Sequence, residues 1–418
     1  MSCFIIEGGE KLKGEITVQG SKNGTLPLLS AVLLTQGKNV LYGCPQLSDV
    51  TSALKILTYL GCKTEHKNGT AVIDCTDAWR CDIPDFLMRE MRSSVVFLGA
   101  LLARFGKAEL SAPGGCEIGL RPIDLHIEAM KALGAEVNES GGRIFFACLQ
   151  GLHGTRITLS FPSVGATENI ILASCTAKGE TVIVNAAREP EIIELAHFLN
   201  RCGAKIKGAG ESVIYIEGTD KLYPCEHTVE QDRIAAVTFM AAAAVTGGEI
   251  FLNGLHQGLL MPVLEPFKES GCTVKADANG VHLIAPKRLR RIKTVRTMPY
   301  PGFPTDSQAD FAVMASVAEG TSVIVENIFE NRFKYIAELN KMGACARAEG
   351  RVAVIEGVKR LESARVEATD LRAGSALVAA ALNARGSTVV DGVAYIDRGY
   401  ESLEVQLKRL GAKIKRGV

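Results

Sequence analysis

Residues 196–218, AHFLNRCGAKIKGAGESVIYIEG, decide how the chain folds. An amphipathic helical pattern stops at Gly203, a polar stretch follows, and Val213-Ile214-Tyr215-Ile216 reads as a strand. Glycine explains the abrupt change: it takes the left-handed conformation that closes a helix and lets a strand leave at once. The pattern recurs at 56–74, 128–147, 264–285 and 336–357 and, cut short, at 405–418. The helix-ending glycines Gly61, Gly134, Gly203, Gly271, Gly343 and Gly411 lie about 70 residues apart, so the chain is a six-fold internal repeat.

Each repeat holds a second helix, apolar almost all round, then a glycine and a β-branched strand, as in NIILASCTAKGETVIVN and FAVMASVAEGTSVIVEN. A helix apolar on every side is buried on every side. The period exceeds that of familiar solenoids, which points to two pseudo-symmetric globules of three units each. The expected division is 22–229 for the first globule, and 1–21 plus 230–418 for the second. The last unit stops just after Gly411 while the chain begins with strand-like FIIEGG and EITVQG, so the N-terminal strands are expected to complete the C-terminal globule.

Bulk properties narrow the function. The 418 residues are 47% hydrophobic, and 47 basic side chains nearly cancel 46 acidic ones, which leaves no global field for nucleic acid or an anionic membrane. Anionic ligands must then be held by local clusters. The N-terminus lacks the apolar core of a secretory signal, and the longest apolar run, 234–246, is too short to span a bilayer and reads as a buried helix. Twelve cysteines without a CxxC pair fit a reducing cytoplasm, where free Cys packs as a small hydrophobe. No Cys or His pair has zinc-ligand spacing, and P-loop, dinucleotide GxGxxG and HExxH patterns are missing.

Chemistry can sit where the buried helices begin, because unpaired N–H groups and the positive end of the helix dipole attract anions. Those starts read Ser21-Lys22-Asn23-Gly24, Arg89-Glu90-Met91-Arg92, Ser163-Val164-Gly165, Gln231-Asp232-Arg233, Asp306-Ser307-Gln308 and Asp370-Leu371-Arg372. Ser, Asp and Asn are ordinary caps there. Capping leaves Lys22, Arg92, Arg233 and Arg372 unexplained, and these point to anionic ligands. Cys116 lies in the Gly-rich SAPGGCEIGLRPIDLH, where Arg121 would favour thiolate. By contrast, Cys62, Cys202, Cys272 and Cys345 occupy repeat positions and read as buried hydrophobes. Asp306 reads equally as a cap and as a base, and Arg398 as a surface residue by default. The run Lys287-Arg288-Leu289-Arg290-Arg291 reads as a solvated linker, with no interleaved aromatics.

The motifs SKNGTLP, PGGCEIGLRPIDLH, FPSVGATEN, NAAREPEI, FPTDSQ, ENIFENRF, ATDLRAGSALV and IDRGYE, in this order, resemble the enolpyruvyl transferase family, in particular members that use UDP-N-acetylglucosamine. The resemblance runs from end to end. It implies an α/β chain of two inside-out globular domains, each of three repeated βαβαββ-type units around buried helices, with substrates between them. It also implies transfer of the enolpyruvyl group of phosphoenolpyruvate to the 3′-hydroxyl of UDP-N-acetylglucosamine, the first committed step of peptidoglycan synthesis. Phosphate leaves, no cofactor or metal takes part, and the partners are small molecules rather than nucleic acid or membrane.

Carried over by motif, Lys22 and Asn23 fall at the phosphoenolpyruvate and sugar end. Arg92 and the segment Arg121, Pro122, Ile123, Asp124 and Leu125 contact the nucleotide sugar, Arg121 also lying near phosphoenolpyruvate. Ser163 and Gly165 serve the uridine side, Asp306 faces the 3′-hydroxyl and Ile328 lines the nucleotide-sugar site. Asp370, Arg372 and Arg398 belong to the phosphoenolpyruvate side. The resemblance makes Cys116 the cysteine that adds to phosphoenolpyruvate, donates a proton and reacts with the epoxide fosfomycin. One departure is visible: Phe161-Pro162 stands where some members carry a uridine-side Lys. The competing expectations are the shikimate-pathway enolpyruvyl transferase and a catalytically silent nucleotide-sugar-binding regulator.

Overall fold

Gly61, Gly134, Gly203, Gly271, Gly343 and Gly411 all have φ between 80° and 102°, so every amphipathic helix closes in the conformation that glycine adopts at least cost. The computed structural model describes residues 2–111 and 122–417, the side chain of Arg92 excepted. Five of the glycines lead directly into an antiparallel hairpin, such as Lys63–Lys67 with Thr70–Asp74 and Cys345–Glu349 with Val352–Glu356. The sixth strand, Lys413–Gly417, has no successor; it pairs instead with Cys3–Glu7, which lies between it and Ser387–Asp391. The N-terminal strand thus completes the last unit, as FIIEGG led us to expect.

Six sheets result among the described residues, five of four strands and one of three. In each four-stranded sheet the extra strand is short, parallel and delivered by the preceding unit. Arg156–Thr158 pairs with Glu180–Val184, and Glu226–Thr228 returns to Lys38–Tyr42. Lys13–Ile16 likewise pairs with Glu249–Asn253. In the three-stranded sheet, the place of that strand is marked only by the Asp82–Glu109 bridge. Because the third unit hands its strand back to the first, three units close into a ring instead of stacking openly.

Contacts among the described residues form two units: 2–19 with 232–417, and 20–111 with 122–231. Buried helices fill each. In the second lie α1 (Lys22–Ala31), α2 (Phe97–Phe105) and α3 (Val164–Ser174). In the first lie α4 (Arg233–Thr246), α5 (Gln308–Ser316) and α6 (Leu371–Asn383). Every residue of α5 is buried, and so is α4 from Arg233 to Val245. The run read as a buried helix is therefore one, and among the described residues no helix is long and apolar enough to cross a membrane. Near the start of α4, Thr238 Oγ1 donates to Asp310 Oδ2 of α5 at 2.9 Å, and at its end Asn383 Nδ2 of α6 donates to Val245 O at 2.6 Å.

One expectation fails. Cys62, Cys202 and Cys272 are buried, but Cys345 is exposed. Cys62 and Cys272 follow their helix-ending glycines directly. After Gly343 that place belongs to Ala344, so Cys345 falls one residue later and its side chain turns to the other face of the strand.

In the second unit, α2 and α3 touch through Gly99, whose N–H donates to Asn169 Oδ1 at 2.6 Å. A Cβ at Gly99 would lie 2.2 Å from the Asn169 carbonyl oxygen, which belongs to a helix backbone and cannot swing aside. Gly99→Ala is expected to destabilise the protein by about 1–3 kcal/mol through overpacking, read as a lower urea midpoint at unchanged slope.

Candidate active site

The starts of α4, α5 and α6 differ in how they are capped. Asp232 Oδ1 accepts from Ile234 N and Ala235 N at 2.9 and 3.0 Å. Asp370 Oδ1 accepts from Arg372 N and Ala373 N at 3.0 and 3.1 Å. Both are caps in the ordinary sense. Asp306 lies in the 3-10 turn Thr305–Ser307 that leads into α5, and neither that turn nor α5 has a side-chain cap. Its Oδ1 accepts instead from Arg332 Nη2 at 2.7 Å, while its Oδ2 lies 3.8 Å from Arg372 Nη2. Both arginine side chains are 4% exposed and the carboxylate 28% exposed, so Asp306 is the member of this cluster that reaches solvent.

A buried network backs the cluster. Arg372 Nη1 donates to Tyr400 Oη at 3.1 Å, Ser375 Oγ donates to the same oxygen at 2.9 Å, and Thr238 Oγ1 lies 2.8 Å from it. Thr238 also donates to Asp310, as above. Burial pushes the Asp310 carboxyl up to about 7, against the Thr238 hydrogen bond and the Arg372 charge, which pull it down. Asp310 Oδ1, Arg372 Nε and Ser307 Oγ have no hydrogen-bond partner among the described residues. Orphaned buried polar atoms at one helix-end cluster mark a place for ordered water or ligand.

Glu326, fully buried, fixes the neighbouring loops. Its Oε1 accepts from Thr297 Oγ1, Ile328 N and Phe329 N at 2.8, 2.8 and 3.1 Å. Its Oε2 accepts from Thr305 Oγ1 at 2.8 Å and Gln308 Nε2 at 3.3 Å. One carboxylate therefore ties the segment holding Ile328 to the turn holding Asp306. Arg398 is half-buried in the turn after the helix Val393–Ile396, two residues before Tyr400.

In the second unit Lys22 opens α1, and its Nζ lies 2.9 Å from Asp49 Oδ2, which is almost fully buried. Asn23 follows it, and Ser21 is the cap, accepting from Gly24 N at 3.0 Å. Ser163 caps α3 by accepting from Ala166 N at 3.3 Å. Pro122, Ile123, Asp124 and Leu125 lead into the helix Asp124–Ala132. That segment is anchored by His126, whose Nδ1 lies 3.0 Å from Asn169 Nδ2 and whose ring a Cβ on Gly165 would meet at 3.1 Å. Burial drives this imidazole down to about 4, so at neutral pH its Nδ1 accepts the hydrogen bond from the Asn169 amide. Arg92 opens the 3-10 turn Arg92–Val96; its side chain, and all of Cys116 and Arg121, lie outside the described residues. Phe161 is 44% exposed.

Sequence reasoning passed over Arg332, Glu326, Asp310 and Tyr400. Arg332 and Glu326 stand inside the quoted ENIFENRF, and Tyr400 inside IDRGYE, so the motifs carried the signal without the pairing. Asp310, two residues past the quoted FPTDSQ, carried none.

The sequence model of the family described as EPSP synthase (3-phosphoshikimate 1-carboxyvinyltransferase) matches residues 6–407. UDP-N-acetylglucosamine 1-carboxyvinyltransferase 2 of Caldanaerobacter subterraneus is 50% identical over the full length of both chains. UDP-N-acetylglucosamine 1-carboxyvinyltransferase 1 of Symbiobacterium thermophilum is 47% identical over 99% of this chain and 95% of its own. Among solved structures, the enolpyruvyl transferase NikO of Streptomyces tendae superposes with a TM-score of 0.90 at 24% identity, covering 99% of this chain and 98% of its own. EPSP synthase of Acinetobacter baumannii gives 0.77 at 21% identity with full coverage of both chains. These two likenesses show the shared fold.

The Asp310 carboxyl makes a prediction about pH. Its folded pKa, about 7, lies above the ordinary Asp value of 3.8, so between those limits the folded state keeps a proton that the unfolded chain releases. Its contribution to stability is full below about pH 4, falls as pH rises to 7 and is flat beyond. Asp310→Asn removes this slope, so the stability of the variant relative to the parent should grow from pH 4 to 7 in urea titrations. An unchanged difference across that range would place the Asp310 pKa at its ordinary value.

Proposed function

The chain belongs to the EPSP synthase family of enolpyruvyl transferases, and from that premise we propose that it moves the enolpyruvyl group of phosphoenolpyruvate onto the 3′-hydroxyl of UDP-N-acetylglucosamine. What carries the reading is the Asp306 carboxylate, set against Arg332 and Arg372 at the starts of α5 and α6, in a chain that is half identical from end to end to a relative bearing that activity's name. The fold alone would serve the shikimate-pathway reaction equally well; the full-length identity favours the nucleotide sugar.

The reaction is addition followed by elimination. The 3′-oxygen attacks C2 of phosphoenolpyruvate while C3 takes a proton, giving a tetrahedral phospho-ketal. Loss of a C3 proton and of phosphate then restores the enol ether. Asp306 is the base for the hydroxyl in this scheme. Arg332 holds Oδ1, and Oδ2 faces Arg372. Arg372, buried and braced by Tyr400, together with Lys22, Arg121 and Arg398, holds the carboxylate and phosphate. Fixed cations of this kind stabilise the developing charge without reorganising during the reaction. Cys116 is the acid for C3. Asn23, Arg92, Pro122, Ile123, Asp124, Leu125, Ser163, Gly165, Ile328 and Asp370 position the nucleotide sugar and the anions. The setting is cytoplasmic peptidoglycan synthesis.

Phosphate release should require both phosphoenolpyruvate and UDP-N-acetylglucosamine, and shikimate 3-phosphate should not replace the sugar nucleotide; release with shikimate 3-phosphate instead would reverse the substrate assignment. Asp306→Asn should slow turnover about 100-fold or more while UDP-N-acetylglucosamine binding by calorimetry stays within a few-fold. Near-normal turnover removes Asp306 as base. Cys116→Ser should abolish covalent labelling by fosfomycin in intact-protein mass spectra, and retained labelling would move the reactive thiol elsewhere.

A further inference from the structure

Three turns at the far ends of α4, α5 and α6 carry charge that neither the fold nor the proposed reaction uses. Gly8 N, Ala285 N and Gly357 N donate to the carbonyls of Gly386, Gly248 and Gly320 at 3.0–3.1 Å, so the three turns occupy one place in three units. Each ends in a buried leucine, Leu12, Leu289 or Leu361. The two residues before the leucine are Glu10-Lys11, Lys287-Arg288 and Lys359-Arg360. Together with the last residues of α4 and α6 and with Val317, just past α5, they line a cavity of about 200 Å³. This is where the Lys287–Arg291 run lies, and it is a turn with a buried leucine rather than a linker.

We propose that this cavity is a binding site for a compact polyanion, a molecule bearing two or three phosphate or carboxylate groups.

Charge balance carries the argument. The turns hold five cations against one carboxylate, and that carboxylate, on Glu10, is already paired with Lys413 at 2.7 Å. Lys11, Lys287, Arg288 and Lys359 have no hydrogen-bond or ion-pair partner among the described residues. The bland explanation is compensation of helix C-termini, and Arg360 does serve it, its Nε donating to Asn383 O at 3.2 Å. Three helix ends supply only about −0.5 each, however, less than the five exposed cations carry.

The other unit provides an internal control, since two of its three turns are made in the same way over helix ends. There Cys148 N and Gly218 N donate to Gly106 O and Gly179 O at 2.7 and 3.0 Å. Its turns carry Asp77, Gln150-Gly151 and Asp220-Lys221, and one further cation, Arg104, serves the helix end there, donating to Thr35 O and Cys75 O at 3.1 and 2.9 Å. Helix ends alone therefore do not demand a basic crown. Pockets for drug-sized ligands run about 300–1,000 Å³, so this one suits a smaller molecule.

The test is isothermal titration of the full-length protein with inorganic tripolyphosphate at low salt, beside the triple variant Lys11→Ala, Lys287→Ala, Lys359→Ala and a control triple at Lys268, Lys275 and Lys408. The expected result is a saturable site whose affinity falls at least tenfold in the crown variant, not in the control, and weakens with added salt. Phosphate release without tripolyphosphate should stay within twofold of the parent in both. Equal affinity in parent and crown variant, equal loss in the control, or no saturable binding overturns the proposal. So does tighter binding to anionic lipid vesicles than to tripolyphosphate. Should the triple variant unfold, Lys359→Ala alone makes the same comparison with an expected loss of about threefold.

Discussion

A helix buried on every side can meet a ligand only with its ends. That constraint organises this molecule, because α4, α5 and α6 have no polar face to offer. Charge is forced to the helix starts, where Asp306, Arg332, Arg372 and Asp310 collect, and to the far ends, where the basic turns lie. Burying the charged groups at the helix starts costs several kcal/mol each unless they are matched. Here Arg372 is met by Tyr400 and faces Asp306, and Glu326 is met by five donors. The matching turns a destabilising arrangement into a rigid one.

Glu326 shows how the rigidity reaches the chemistry. Two of its donors are backbone N–H groups at Ile328 and Phe329, and two are side chains of Thr305 and Gln308 on either side of Asp306. Removing the carboxylate would leave those donors buried and unpaired at once, so the segments move together or not at all. Holding a base within a fraction of an ångström requires support of this kind behind it.

The repeat, the buried helices and the completing role of the N-terminal strand were legible because each rests on local chemistry. A glycine at φ near 100° marks itself by position, and an all-apolar helix by composition. The three-residue parallel strands were not legible, since three residues show no period and their partners lie in the next unit. The pairing inside the site was illegible for the same reason: Thr238 meets Asp310 at a separation of 72 residues and Tyr400 at 162. Asp306 was balanced between cap and base in the sequence; only the position of Arg332 shows which way its oxygens face. Cys345 failed because a one-residue offset, invisible to composition, reverses the face of a strand.

The two units then differ in what each places between its helices. Around α2 and α3 the central polar group is an amide, Asn169, which satisfies Gly99 and a neutral His126. Around α4, α5 and α6 it is a carboxyl beside a guanidinium, Asp310 and Arg372. An amide can close every hydrogen bond without charge and so needs nothing from outside. A carboxyl with an orphaned oxygen, next to an arginine with an orphaned Nε, stays incomplete until water or ligand arrives. The centre at Asn169 thus closes on its own hydrogen bonds, whereas the one at Asp310 and Arg372 keeps orphaned atoms beside Asp306.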